Sequence, residues 1–80
     1  MNKVTKMFST KQGVVTLSTP FFTLMHEQQQ VEATYKPKNY NGWGMCKTFN
    51  ASEVSNFTQA DAELFATTAD SKLRLQGYAA

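Results

Sequence analysis

Val31-Glu32-Ala33-Thr34-Tyr35-Lys36 is the stretch on which the fold turns. Val31, Ala33 and Tyr35 alternate with Glu32, Thr34 and Lys36, the period-two pattern of a strand with one face buried and the other in water. Upstream, Val14-Val15-Thr16-Leu17-Ser18 is β-branched and extended in character, and Val4-Thr5-Lys6-Met7-Phe8-Ser9 offers another short strand. Between them Thr10-Lys11-Gln12-Gly13 reads as a turn, with Gly13 free to take positive φ. The two segments predict a first hairpin.

Thr19-Pro20 admits two readings. Proline interrupts a central strand, yet it also suits the first helical position after a threonine cap. In Phe21-Phe22-Thr23-Leu24-Met25-His26-Glu27 a strand would alternate tolerably, whereas a helix would align Phe21, Leu24, Met25 and Gln28 on a face that fades into Gln29 and Gln30. The extended segment that follows favours the strand, with Gln28-Gln29-Gln30 as the turn of a second hairpin.

Downstream of the deciding stretch, Lys36-Pro37-Lys38-Asn39-Tyr40-Asn41-Gly42-Trp43-Gly44 is too rich in turn formers to be regular, and Asn41-Gly42 is a strong turn dipeptide. Gly44-Met45-Cys46-Lys47-Thr48-Phe49 resumes as a strand. Asn50-Ala51-Ser52-Glu53 has the form of a capping box, opening a helix over about residues 51–66 that spaces Val54, Phe57, Asp61, Leu64 and Phe65 at helical intervals. Thr58-Gln59-Ala60-Asp61 is a second cap candidate, so one helix and two short ones broken near Asn56–Thr58 are both open. Thr67-Thr68-Ala69-Asp70-Ser71 continues a helix poorly. Lys72-Leu73-Arg74-Leu75-Gln76 alternates like a short strand, or makes a last helical turn closed by Gly77. The expected fold is α+β: a small antiparallel sheet of four to five strands with a helix packed on one face.

Eighty residues predict one domain spanning the chain. A chain this short buries only roughly 60–65% of its unfolded surface, which favours a binding surface over a deep catalytic cavity. The net charge of +2 is unevenly spread. Lys3, Lys6, Lys11, Lys36, Lys38 and Lys47 face only Glu27 and Glu32 up to residue 49, whereas Glu53, Asp61, Glu63 and Asp70 occupy a segment without a basic residue. One arginine is few for a phosphate-reading protein. Cys46, the only cysteine, excludes an internal disulfide and a cysteine-built zinc site. A small domain without staples suits a reducing compartment, so the expected location is the cytoplasm. No apolar run approaches the ~18–20 residues of a membrane span, and polar residues interrupt any signal core after Met1–Met7.

No catalytic signature emerges, and the chain is expected to be non-enzymatic, without cofactor or metal. His26-Glu27 lacks the second histidine that a zinc protease places four residues on, where this chain has Gln30. Cys46 has no base at a telling spacing, and its apolar-flanked strand suggests a buried structural thiol. Asp61 and Glu63 lie two apart, so a helix points them to different faces. Gly42-Trp43-Gly44 lacks the lysine, glycine and helix of a phosphate loop.

What stands out is the aromatic and cationic loop. Tyr35, Lys36, Lys38, Tyr40, Trp43 and Lys47 form the candidate partner-binding set, because rings beside positive charge give flat amphipathic contact area at low entropy cost. Trp43 reads either as a core plug or as a contact residue; Tyr40, flanked by asparagines, reads as exposed. The leading expectation is a protein-binding module. A chain of this size, read as complete, resembles in format the small accessory proteins of phages and mobile elements, many of which inhibit host machinery such as defence nucleases by direct binding. The alternative is single-stranded nucleic-acid binding, the same rings stacking bases and the lysines meeting phosphates. Exposed edge strands or Phe21-Phe22 offer a route to a homodimer.

Overall fold

The computed structural model describes residues 4–38, 42 and 44–77. Four strands, β1 (Val4–Ser9), β2 (Gly13–Ser18), β3 (Gln30–Pro37) and β4 (Met45–Asn50), form an antiparallel sheet in the order β1-β2-β3-β4. A short 3-10 turn, Ala51–Val54, and one helix, α1 (Gln59–Leu75), complete the α+β fold. The sheet pairs Val15 with Tyr35 and Leu17 with Ala33, then Val31, Ala33 and Tyr35 with Phe49, Lys47 and Met45. Partners across a ladder share a face, so the alternation of Val31, Ala33 and Tyr35 places all of these side chains on the helix side.

The core beneath α1 joins Val15 and Tyr35 to Ala62, Ala66, Ala69 and Leu73, with Leu17, Val31, Ala33 and Val54 as its continuation. The helix thus buries an alanine face. Small side chains let its backbone approach the sheet closely, and the larger volumes come from Tyr35 and from the Phe8–Phe57 pair, whose ring centroids lie 5.4 Å apart. One buried polar group is used as a tie. Tyr35 donates its hydroxyl to Asp70 Oδ1 at 2.7 Å, and Arg74 Nε donates to Asp70 Oδ2 at 2.8 Å. Gln59 Nε2 donates to the Ser9 carbonyl at 2.7 Å, so α1 starts beside the end of β1 and then packs on β2 and β3.

Several expectations are corrected. Residues 20–28 do not form a strand: Phe21 makes a single antiparallel bridge to Gln30, and Phe22, Leu24 and Met25 are exposed on the loop between β2 and β3. Gln30 belongs to β3, its buried amide donating to the Gln28 carbonyl and to Asn50 Oδ1, which closes the base of that loop. Gly13 does not take positive φ; a Cβ there would overlap the Lys36 carbonyl oxygen, so glycine is required by close approach of β2 to β3. Of the two alternatives for residues 51–66, the break near Asn56–Thr58 is the one present. Thr58 accepts from the Asp61 N–H and Asp61 accepts from the Thr58 N–H at 2.9 Å, the second capping box. From there α1 runs through Thr67–Ser71 to Leu75, well past residue 66, and no strand forms over 72–76. The hydroxyls of Thr67, Thr68 and Ser71 each bond back to a carbonyl four residues earlier, so these poor helix formers are satisfied within the helix. Gly77, at φ 106°, ends it.

Ala66→Leu is expected to destabilise the fold by ~1–3 kcal/mol, because no space exists under that face; a lowered urea midpoint at unchanged slope checks it. The Arg74 guanidinium holds the Asp70 carboxyl below its usual value, with burial opposing and the Tyr35 hydroxyl assisting. A depressed folded pKa gives stability that is complete above the unfolded value, about 3.9, and is lost as pH falls through the folded one. Urea midpoints measured downward from pH 5 should therefore fall in the wild type below about pH 4 and follow a flatter acid limb in Asp70→Asn.

Candidate functional site

The helix has a second face, outside its alanine seat, that reaches β4 through the contact of Phe65 with Phe49. Counting from its first turn, Asp61, Leu64, Phe65, Thr68 and Lys72 recur at three- and four-residue intervals and turn towards β4. Opposite them, Met45, Lys47 and Phe49 are the helix-side residues of β4. Between α1, β4 and the segment around the 3-10 turn lies a cleft of about 600 Å³. Phe49 and Phe65 meet edge to face across its floor, with ring centroids 6.2 Å apart. Val54 and Phe57 close its inner wall, while Leu64, 69% exposed, stands at its rim. Val54, Phe57, Asp61, Leu64 and Phe65, the residues whose spacing predicts the helix, all line this cleft, whereas the helix face that packs on the sheet is the alanine one.

Charge divides the cleft. Glu53 accepts the Asn50 N–H at 2.8 Å and Asp61 accepts the Thr58 N–H, so both carboxylates are engaged as caps. Lys47 and Lys72 line the cleft as well, and neither makes an ion pair with a described residue. Lys47 holds its ammonium 5.0 Å from the centroid of the Phe49 ring, a cation–π placement that keeps the charge at the mouth.

Of the six residues singled out in the sequence, the four that are described, Tyr35, Lys36, Lys38 and Lys47, do not form one rim. Tyr35 is enclosed at 0% exposure and bonded to Asp70, so it offers no surface to a partner. The alternation that decides the fold already assigns it to the core, and among the described residues it is the largest fully buried side chain. Lys36 projects from the opposite face of the sheet to Lys47, being one position out of phase with Tyr35. Lys38, exposed after β3, bonds through its backbone N–H to the Gln12 carbonyl. Tyr40 and Trp43 lie outside the described residues, as does Asn41 of the expected turn. Among the described residues of the set, Lys47 alone reaches the cleft. Leu64, Phe65 and Lys72, which line the cleft from α1, are not in that set. Their signal was the 3–4 spacing of 61, 64, 65, 68 and 72, a face distinct from the alanine face at 62, 66, 69 and 73.

The remaining reactive groups are dispersed. His26 is exposed on the β2–β3 loop, 2.7 Å from the Thr23 hydroxyl. Among the described residues no three histidine, cysteine or carboxylate side chains gather as a metal-binding group. Cys46 is exposed, contrary to the expected buried thiol, because its register with Thr34 puts it on the outer face of the sheet. Among the described residues no helix is long and apolar enough to cross a membrane. No family model, curated protein or solved structure matches the chain.

The outer-face position of Cys46 has a direct readout. An aromatic disulfide reagent should titrate one thiol in the native protein without denaturant, at a rate close to that of the urea-unfolded chain; protection by an order of magnitude or more would place the thiol under cover.

Proposed function

We propose that this chain is a non-enzymatic protein-binding module whose contact site is the cleft between β4 and α1. The observation that carries the proposal is the incompletely covered second face of α1, where Phe65 reaches Phe49 but Leu64 is left exposed. Leu64 stands exposed beside Phe65 and opposite Phe49, while the helix is already fixed to the sheet by its alanine face. Apolar side chains gathered around a concave site and rimmed by charge form a surface suited to another molecule. The reactive groups that would argue for an enzyme are scattered.

A protein is favoured over single-stranded nucleic acid as the partner. Phe8, Tyr35 and Phe49, the aromatic residues of the strands, all sit on the helix side, so the open face of the sheet has no ring among its described residues on which to stack a base. A cytoplasmic location fits the free, exposed Cys46. The proposal extends to a finer role, that of a small phage or mobile-element accessory protein that inhibits host machinery such as a defence nuclease, with the cleft as the inhibitory contact.

Affinity capture from cells of the source, followed by mass spectrometry, tests the site. The wild type should retain a protein that Leu64→Asp and Lys47→Glu each release, with the thermal unfolding of both variants within a few degrees of the wild type, since both positions are exposed. If capture survives both changes but is lost in Tyr40→Ala/Trp43→Ala, the loop is the contact surface and the cleft is not.

A further inference from the structure

The backbone of β4 adds a property that the side chains of the cleft do not reveal. Ala51 donates its N–H to the Gln29 carbonyl at 2.7 Å. In an antiparallel ladder the hydrogen-bonded pairs recur at every second position. Continuing that phase along the register makes 49:31, 47:33 and 45:35 the bonded pairs. Cys46 and Thr48 therefore turn their N–H and C=O groups away from β3. Asn50 is in the same phase, and its N–H is the one that Glu53 covers. Among the described residues no strand pairs with this edge. The other edge differs: the register of β1 shifts between Val4 and Lys6, an irregularity of the kind that discourages strand pairing. The β3–β4 register runs without a shift from Tyr35:Met45 to Gln30:Asn50, so the β4 edge is regular.

We propose that an extended segment of a partner protein adds to β4 as a fifth strand, placing an apolar side chain opposite Phe49 and an acidic one opposite Lys47. The proposal rests on the cleft being the contact site and names what fills it. A strand bonded to Cys46 and Thr48 would set its intervening residues opposite Met45, Lys47 and Phe49, all facing the helix side, with Cβ atoms about 4.5–5.5 Å from those of β4. The residue opposite Phe49 enters the apolar floor made by Phe49, Phe65 and Leu64. The residue opposite Lys47 lies nearest to the Lys47 ammonium, which like that of Lys72 has no carboxylate partner among the described residues, whereas Glu53 and Asp61, still charged, are held against the Asn50 and Thr58 N–H groups. An acid is the cross-strand complement of Lys47 itself. In antiparallel addition the apolar residue precedes the acidic one by two positions. Main-chain bonds supply sequence-independent affinity, and the two side chains supply the choice of segment.

The test pans a library of random short peptides against the full chain and follows the enriched peptides in solution. Enriched peptides should carry an apolar residue two positions from an acidic one and slow amide exchange at Cys46 and Thr48. N-methylation of the backbone that meets Cys46 or Thr48 should weaken them by about tenfold or more. Lys47→Glu should weaken them by about tenfold and recover binding when the acidic residue of the peptide is exchanged for lysine. No enrichment, or peptides indifferent to N-methylation, would overturn strand addition. If such indifferent peptides are still released by Leu64→Asp, the cleft stands as the contact site and only the mode of binding falls. Peptides insensitive to Leu64→Asp as well as to Lys47→Glu would remove the site altogether.

Discussion

The position of α1 depends on the close seat of Ala62, Ala66 and Ala69 over Val15 and Tyr35, locked by the Tyr35–Asp70 hydrogen bond. A helix that buries alanine comes nearer to a sheet than one that buries leucine. Its larger side chains, Leu64 and Phe65, are then left to the flank. Asp70 makes the arrangement specific, because a buried carboxylate is tolerated only where its oxygens are bonded, and Tyr35 and Arg74 bond one each. Sliding the helix along the sheet would strip the carboxylate of the phenol. The helix is thus held over β2 and β3, and the helix side of β4 is left as the wall of a cleft.

The two capping boxes work to the same end. Asn50–Glu53 stops β4 and starts the 3-10 turn, and Thr58–Asp61 starts α1 after a short irregular link. That break lets the chain leave the lower end of β4, cross beneath Phe57 and begin the helix beside Ser9. An unbroken helix from residue 51 would lack this change of direction, which brings Phe57 against Phe8 and Phe65 against Phe49.

Much of the fold was legible in the sequence. Period-two alternation identified β3, β-branched content identified β2, and both caps were readable from an oxygen-bearing residue followed three positions later by a carboxylate. The errors have physical causes. Local polarity made Thr67–Ser71 look like a helix end, but hydroxyls that bond back to the preceding turn, together with packing at Ala69, Asp70 and Leu73, override propensity. Phe21–Glu27 has apolar content without a partner strand in register beyond Phe21. The site was harder. Tyr35 was drawn into the binding set by its neighbours in sequence, although its own alternation assigns it to the core. The cleft residues are spread over β4, the 3-10 turn and α1, and only the fold brings them together.

The loop between β2 and β3 lifts Phe22, Leu24 and Met25 into water while Gln30 fastens its base. It is the place where the polypeptide best tolerates being cut or lengthened. A nick there separates the first hairpin from the remainder covalently, yet the β2–β3 ladder from Gly13:Pro37 to Leu17:Ala33 spans the divide. The molecule is in this sense two complementary pieces joined by a bridge, and a reporter or affinity handle inserted there belongs near the exposed Phe22–Met25 stretch, ahead of Gln28 and Gln29, which bond to the 3-10 turn.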